Sequence, residues 1–573
     1  MKLKAALALL LVLCFAQCRK AGNDSENTNT TAAPAGDASK EAKTPFSWRN
    51  ATVYFLLTDR FNNGDPKNDV NFGRTGKTGP LRGFAGGDLK GVTQKIKDGY
   101  FDQLGITAIW LTPVVEQIHG GTDEGTGTTY AYHGYWAKDW TALDPNFGTE
   151  QDLAEFVETA HAHGIRVLLD VVINHTGPVT PQDPAYPNDW VRLDPVCTFK
   201  TTRTTIACNL VKNLPDVRTE SDKPVELPEG LRKKWQQEGR LEKELKELDA
   251  FFESTGYPRA ARFYIVKWLT DYVRKYGVDG FRVDTAKHTE AGVWAELKKE
   301  AVKAFNDWKK QNPGKQLDDN DFFMVAEVYN YNAGDGRAYA YDDGKKVDFY
   351  ANGFESMINF AFKADAKKTY DSLFAKYDTV LHGGSLEGLN VLNYLTSHDD
   401  GSPFDRDRKQ PLESGTKLLL TQGGAQVYYG DETARPLVVK GAVGDANLRS
   451  FMNWEALQKD SLAKATFEHW AKLGRFRKAH LAVGDGRHTR HQEKPYVFSR
   501  KYEKNGYADQ VLVALDAPAG NKTFSAFGVF ADGATLKDHY SGQTVTVKDG
   551  KINLDSPFST VLLAAETKTG PGI

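Results

Sequence analysis

TEQDLAEFVETAHAHGIRVLLDVVINH, residues 149–175, holds one complete unit of the pattern that organises this chain. Thr149 followed three positions later by Asp152 makes a capping box, which satisfies the first free N–H groups of a helix. Leu153, Phe156, Val157 and Ala160 then recur at helical spacing and put an apolar stripe on one face. Gly164 stops that helix. From Ile165 to Ile173 every residue is apolar except Arg166 and Asp170, as in a strand covered on both faces in a parallel sheet. The unit ends on two polar residues, Asn174 and His175.

Outward from this unit, short β-branched or aromatic runs alternate with amphipathic stretches from Phe46 onward. Strands are expected at Val53–Thr58, Ala108–Thr112, Val167–Ile173, Gly280–Val283, Phe323–Glu327, Ser356–Phe360, Val391–Thr396 and Gln426–Tyr429. Eight strands alternating with helices is the count of a (β/α)8 TIM barrel, expected over residues 46–484. Polar residues gather at the strands' C-terminal ends: Asn174-His175, Asp284, Glu327, His398-Asp399 and Asp431-Glu432. Active sites of such barrels occupy that face, so position alone makes these residues candidates.

Two stretches break the alternation. Residues 176–257, after the third strand, read as an excursion with Pro, a Cys pair and a charged helix around Leu231–Leu248. The mixed Lys/Glu pattern of that helix reads as a solvated face. After Gly484 short strands with Gly and Asn turns take over (Tyr496–Ser499, Gln510–Leu515, Thr560–Leu563), so 485–573 is expected to be an antiparallel β-sandwich domain. Trp110, Trp136 and Trp140 are expected in the core.

The bulk numbers mostly exclude. Over 573 residues, 73 Lys and Arg face 75 Asp and Glu, a formal net charge of −2. A nucleic-acid partner would call for a basic excess or stripe. Four Cys are too few for a disulfide scaffold. Lys2 and Lys4 precede an apolar run from Ala5 to Ala16, shorter than the roughly 20 residues of a membrane span, which reads as a signal-peptide core. Cys18 directly after it resembles the lipidated Cys of a bacterial lipoprotein signal (residues 1–18), although Gln17 stands where such signals usually carry a small residue; ordinary secretion is the alternative. Residues 19–45 lack aromatic and branched aliphatic side chains and read as a disordered tether. In an exported chain Cys197 and Cys208, closing a short loop, favour a disulfide, with two free thiols as the alternative.

Glycoside hydrolysis commonly needs two carboxyl groups flanking the scissile bond. Strand ends four, five and seven supply Asp284, Glu327 and Asp399. Asp170-Val-Val-Ile-Asn174-His175, Gly280-Phe-Arg282-Val-Asp284-Thr-Ala-Lys287-His288, Val325-Ala-Glu327 and Leu395-Thr-Ser-His398-Asp399 stand in this order. They resemble the four sequence regions of the alpha-amylase family, glycoside hydrolase family 13. Tyr132-His133-Gly-Tyr135-Trp136, Leu214-Pro-Asp216-Val217 and Tyr428-Tyr-Gly-Asp431-Glu432 extend the resemblance. It implies Asp284 as nucleophile, Glu327 as acid and then base, and Asp399 as stabiliser of the oxocarbenium-like transition state. It implies that His133, His175 and His398 bond the sugar at the cleavage point, that Tyr135 is its aromatic platform, and that Lys287 and His288 contact the leaving-group side. Arg282, two residues before Asp284 on the same strand face, can hold that carboxylate ionised.

The resemblance also implies calcium. Asn174, Asp216 and the carbonyl of His288 match an ion site between excursion and barrel. Asn63-Gly-Asp65-Pro-Lys-Asn68-Asp69 with Gly86-Gly-Asp88 resembles an N-terminal calcium loop of cyclodextrin-forming relatives. The same residues also suit a plain polar turn. The expected protein is an exported, lipid-anchored monomer, periplasmic or on the cell surface, hydrolysing α-1,4-glucans with no nucleic-acid partner. A cyclodextrin-forming or cyclodextrin-cleaving enzyme is the alternative, and a non-catalytic glucan-binding barrel a second.

Overall fold

The unit read at 149–175 folds as a helix and a buried strand. In a computed structural model describing residues 44–566, the helix Glu150–Ala162 opens with Thr149 N donating to Asp152 Oδ2 at 2.8 Å and Asp152 N to Thr149 Oγ1 at 3.2 Å. The expected signal with Cys18, and the tether up to residue 43, lie outside the described residues.

Eight parallel strands close a barrel: β1 (Thr52–Leu56), β2 (Ala108–Leu111), β3 (Arg166–Val171), β4 (Gly280–Val283), β5 (Phe323–Ala326), β6 (Ser356–Asn359), β7 (Asn390–Tyr394) and β8 (Gly424–Tyr428). Neighbours follow chain order, and β8 closes on β1 from Thr52↔Ala425 to Phe55↔Tyr428. Every strand residue is buried, which explains their near-continuous apolar runs. Several strands stop earlier than their apolar runs suggest. The ladder ends at Val171 and Val283, and Thr58 already opens a short helix, Thr58–Phe61. The functional candidates therefore sit on the connections just past the sheet.

The excursion departs from two expectations. Instead of one helix over 231–248 there are two, Glu229–Gln237 and Leu241–Thr255. Between them Gly239 takes φ 72°, a left-handed conformation that glycine adopts without steric cost. Nor is their charge pattern simply solvated. Lys234 reaches Asp139 at 2.6 Å and Glu116 at 2.9 Å, and Arg240 reaches Asp139 at 3.1 Å. These cations lie over the strand Ala137–Leu143 and tie the excursion down, while Lys233 and Glu229 remain exposed. Cys197 and Cys208 form a disulfide around the short helix Thr202–Ile206.

Past the barrel, a six-stranded antiparallel sheet and a two-stranded one enclose a second core that includes Leu512, Phe524, Leu536, Ile552 and Leu563. One buried arginine joins it to the barrel's closing end, and a second, on the helix Ser461–Ala479, caps neighbouring carbonyls from the barrel side. Arg500, from the strand Tyr496–Lys504, donates to the carbonyls of Leu420 and Val483. Arg477 donates to Leu419 O at 2.9 Å and Thr421 O at 2.8 Å. Trp110, Trp136 and Trp140 lie in the interior, as expected.

Candidate active site

The barrel's register brings one cation and three carboxyl groups together. Arg282 on β4 is paired in register with Asp170 on β3. Its Nη1 lies 3.0 Å from Asp170 Oδ1 and 2.8 Å from Asp284 Oδ1, and its Nη2 lies 3.0 Å from Glu327 Oε2. The backbone reinforces this arrangement. Thr285 sits at φ 48°, a conformation a β-branched residue takes only under constraint, and its N–H donates to Glu327 Oε2 at 2.9 Å.

Burial and charge push these groups apart in acidity. Burial raises Glu327 to about 8, with Asp284 and Asp399 adding to the rise and Arg282 opposing it. Burial also raises Asp284, to about 6, against the pull of Arg282. Both carboxyls meet one guanidinium and lie too close to share two full charges comfortably. The proton rests on Glu327. That is the division an acid and a nucleophile require.

Asp399 is the more open member, its side chain 43% exposed. Desolvation in the cleft pushes its pKa up, but His398, Arg449 and Arg282 outweigh that and hold it below the usual carboxylate range. Tyr135 donates its hydroxyl to Asp170 Oδ2 at 2.7 Å and lays its ring on His398, centroids 5.1 Å apart and 15° from parallel. His133 Nδ1 accepts from Tyr135 N at 3.0 Å, and His175 Nε2 meets Tyr135 O at 3.1 Å. Burial lowers His175 to about 4 and His398 to about 3, and depresses His133 strongly. At neutral pH these rings are uncharged, suited to neutral hydroxyl groups.

Lys287 and His288 occupy the 3-10 turn Ala286–His288 beside Glu327. Lys287 Nζ donates to Tyr329 O at 3.2 Å and Tyr339 Oη at 3.4 Å. All ten expected catalytic and substrate-contacting residues thus fall at the barrel's C-terminal mouth. Three more residues join them that the sequence motifs do not single out as site residues. Asp170 was visible as the lone acid in a buried strand. Arg449, whose Nε donates to His398 O at 2.9 Å, ends the 3-10 helix Gly444–Arg449, which no apolar periodicity marks in the sequence. Tyr329, 52% exposed two residues after Glu327, carries no signal beyond that spacing.

The N-terminal set converges as well. Asp88 accepts from Gly64 N at 3.1 Å and Asp65 N at 2.8 Å while capping the helix Leu89–Lys97. Asn63 donates to Asp69 at 2.9 Å. Gly86 takes φ 90°, and a Cβ there would stand 2.5 Å from Asn63 Nδ2 and 2.8 Å from Asp69 Oδ1. Asn63 Oδ1 and Asn68 Oδ1 are buried without a hydrogen-bond partner among the described residues. Unpartnered amide oxygens beside carboxylates suit calcium, a hard cation that takes about 6–8 oxygens. Asp65 stands partly aside, paired with Lys90 at 2.6 Å. The Asn174, Asp216 and His288 set fits less completely. Val217 N donates to Asn174 O at 2.8 Å, which holds Asp216 near Asn174, but Asp216 Oδ2 already meets Arg192 Nε at 2.9 Å. Among the described residues no three His, Cys, Asp or Glu side chains form a metal cluster, so an ion at either set would need amide or backbone oxygens beside its carboxylates.

A family model described as alpha amylase, catalytic domain, matches residues 55–461, from β1 through all the strand ends just described. The chain belongs to the alpha-amylase family. It is 37% identical over 513 residues to a periplasmic alpha-amylase of Escherichia coli (strain K12), covering 79% of this chain and 70% of that one. A cyclomaltodextrin glucanotransferase of Bacillus sp. (strain 6.6.3) is 26% identical, covering 88% of this chain and 65% of its own length. The solved structure of an Anoxybacillus alpha-amylase overlays with a TM-score of 0.61 at 23% identity, covering 92% of this chain and all of that one, and shows the common fold. This member of the alpha-amylase family is a glycoside hydrolase.

Proposed function

We propose that this alpha-amylase-family enzyme is an endo-acting, retaining hydrolase of α-1,4-glucosidic bonds in starch, glycogen and maltooligosaccharides. One observation carries the mechanism: Asp284 and Glu327 meet the same Arg282 guanidinium, yet Glu327 keeps its proton to higher pH. Retaining enzymes hold their two carboxyls about 5–5.5 Å apart, inverting ones roughly 6.5–9.5 Å, and a shared guanidinium favours the shorter spacing.

Glu327 gives its proton to the glycosidic oxygen as the bond from that oxygen to the anomeric carbon breaks. With Oδ1 committed to Arg282, Asp284 attacks that carbon through Oδ2, and the leaving chain departs with the proton as a hydroxyl. Water then gives a proton to Glu327, its oxygen attacks the anomeric carbon, and Asp284 leaves as carboxylate. Asp399 braces the sugar's hydroxyls while positive charge develops, and His133, His175 and His398 bond the same ring over Tyr135.

Calcium is proposed in the 63–88 loop, held by Asn63, Asn68, Asp69 and Asp88, where it would neutralise crowded carboxylates and fix the loop. The Asn174, Asp216 and His288 set is the second, weaker site, because Arg192 already answers Asp216. Neither ion takes part in the chemistry. Export is supported by the periplasmic relative, and anchoring through Cys18 by the signal-like residues before it.

Timed starch digests test the reading. Linear maltooligosaccharides of falling length are the expected products. Cyclic products would replace hydrolysis with transglycosylation, the reaction named for the glucanotransferase relative.

A further inference from the structure

The loop closed by Cys197 and Cys208 lies against the active site, although no catalytic residue belongs to it. Its inner helix presents the Thr205 carbonyl to His288 Nδ1 at 3.0 Å. Phe199 sets its ring edge-on to the same imidazole, centroids 5.0 Å apart and 89° from parallel. A carbonyl only accepts, so Nδ1 carries the hydrogen, and in the neutral ring Nε2 presents a lone pair. The loop thus fixes both orientation and tautomer of His288.

The same loop grips a second wall. Asp342 N donates to Lys200 O at 3.0 Å, and Thr202 donates to Asp343 through N at 2.8 Å and Oγ1 at 3.2 Å. Asp342 and Asp343 form the turn of the hairpin Ala338–Ala340 with Lys346–Asp348. That turn's Tyr341 donates to Lys287 O at 3.0 Å, and Tyr339 meets Lys287 Nζ at 3.4 Å. Lys287 and His288 stand beside Glu327: Ala286 N donates to Glu327 O at 2.9 Å, and Thr285 N to its carboxyl. Glu327 delivers a proton to the departing oxygen, so its flank faces the departing chain.

We propose that the Cys197–Cys208 loop is the specificity element for the leaving-group side of the glucan, acting through His288 and through the hairpin that seats Lys287. This rests on the hydrolase reading above. The residues of the loop are positioning residues, because they reach the substrate only through others.

The test compares maltoheptaose, which fills the leaving-group side, with a nitrophenyl maltotrioside, whose leaving group departs without being gripped. In the full chain, Cys197→Ser with Cys208→Ser is expected to lower kcat/KM on maltoheptaose roughly tenfold, mainly through KM, the scale of one oriented hydrogen bond. Hydrolysis of the nitrophenyl glycoside should stay within about twofold. Asp343→Ala leaves the disulfide intact and should shift the same ratio in the same direction. Equal losses on both substrates, or none on either, would overturn the proposal. If the double Cys variant fails to fold, Asp343→Ala decides alone: a selective loss supports the proposal, and an unselective one sinks it. A wild-type enzyme that released no linear products from starch would instead refute the hydrolase reading.

Discussion

Asp170 and Arg282 face each other in the β3–β4 register and meet at 3.0 Å, their side chains 0% and 1% exposed. Because Arg282 also reaches Asp284 and Glu327, this pair sets the charge of the whole site. Breaking a buried pair from one side typically costs about 3–5 kcal/mol, since the remaining charge stays buried. Asp170→Asn removes a negative charge that raises Asp284, while its amide can still accept from Tyr135 or Trp110. The acidic limb of the kcat/KM profile should therefore move to lower pH in this variant. A profile that keeps its shape while the protein merely melts earlier would assign Asp170 a purely structural part.

The wild-type profile should be bell-shaped. Asp284 must be ionised and Glu327 protonated, so activity falls as pH drops below about 6 and as it rises past about 8. The two groups titrate as a coupled pair, and kinetics will report the pair's limits. Constant activity up to pH values well beyond the basic limit would remove Glu327 as the acid.

Asp284→Asn should cut reducing-sugar release by roughly 10⁴-fold or more, while starch affinity persists. Glu327→Gln should cost about 10²–10⁴-fold on starch, and far less on a substrate whose leaving group needs no proton. Affinity electrophoresis in starch gels separates binding from turnover. Near-normal turnover in Asp284→Asn would overturn the nucleophile assignment.

Chelation should lower the melting temperature, and added calcium should restore it. In Asn63→Ala combined with Asn68→Ala, the melting temperature should respond to neither chelator nor calcium. If that variant keeps the full wild-type response, the ion is not in this loop. A residual response lost with Asn174→Ala places the remainder at the second set.

Much of this was legible in the chain because the barrel's logic is local. Thr149 and Asp152 declare a helix start, and the run to Ile173 declares a doubly covered strand. Asp284 and Glu327 announce themselves by ending such strands. What the chain conceals are contacts made across irregular segments. Arg449 arrives from an aperiodic stretch to bond His398 O, and Gly239 divides a charge-rich helical run that looked continuous. Lys234 and Arg240 look like solvent-facing cations until Asp139 is placed beneath them. Periodicity tells which face is apolar. It does not tell which charged residue will find a distant partner.

Arg477 and Arg500 carry one last implication. Together their guanidinium groups tie backbone carbonyls at 419–421 and 483, at the seam where the barrel closes. Peeling the C-terminal sheet away would expose Phe498, Val511, Val513 and Leu562, which are buried in one core with the barrel, and would leave the carbonyls of Leu420 and Val483 without the Arg500 donor. The two β architectures are thus thermodynamically fused. Calorimetry should find a single endotherm, and truncation before Tyr496 should cost the barrel its cooperativity along with its appendage.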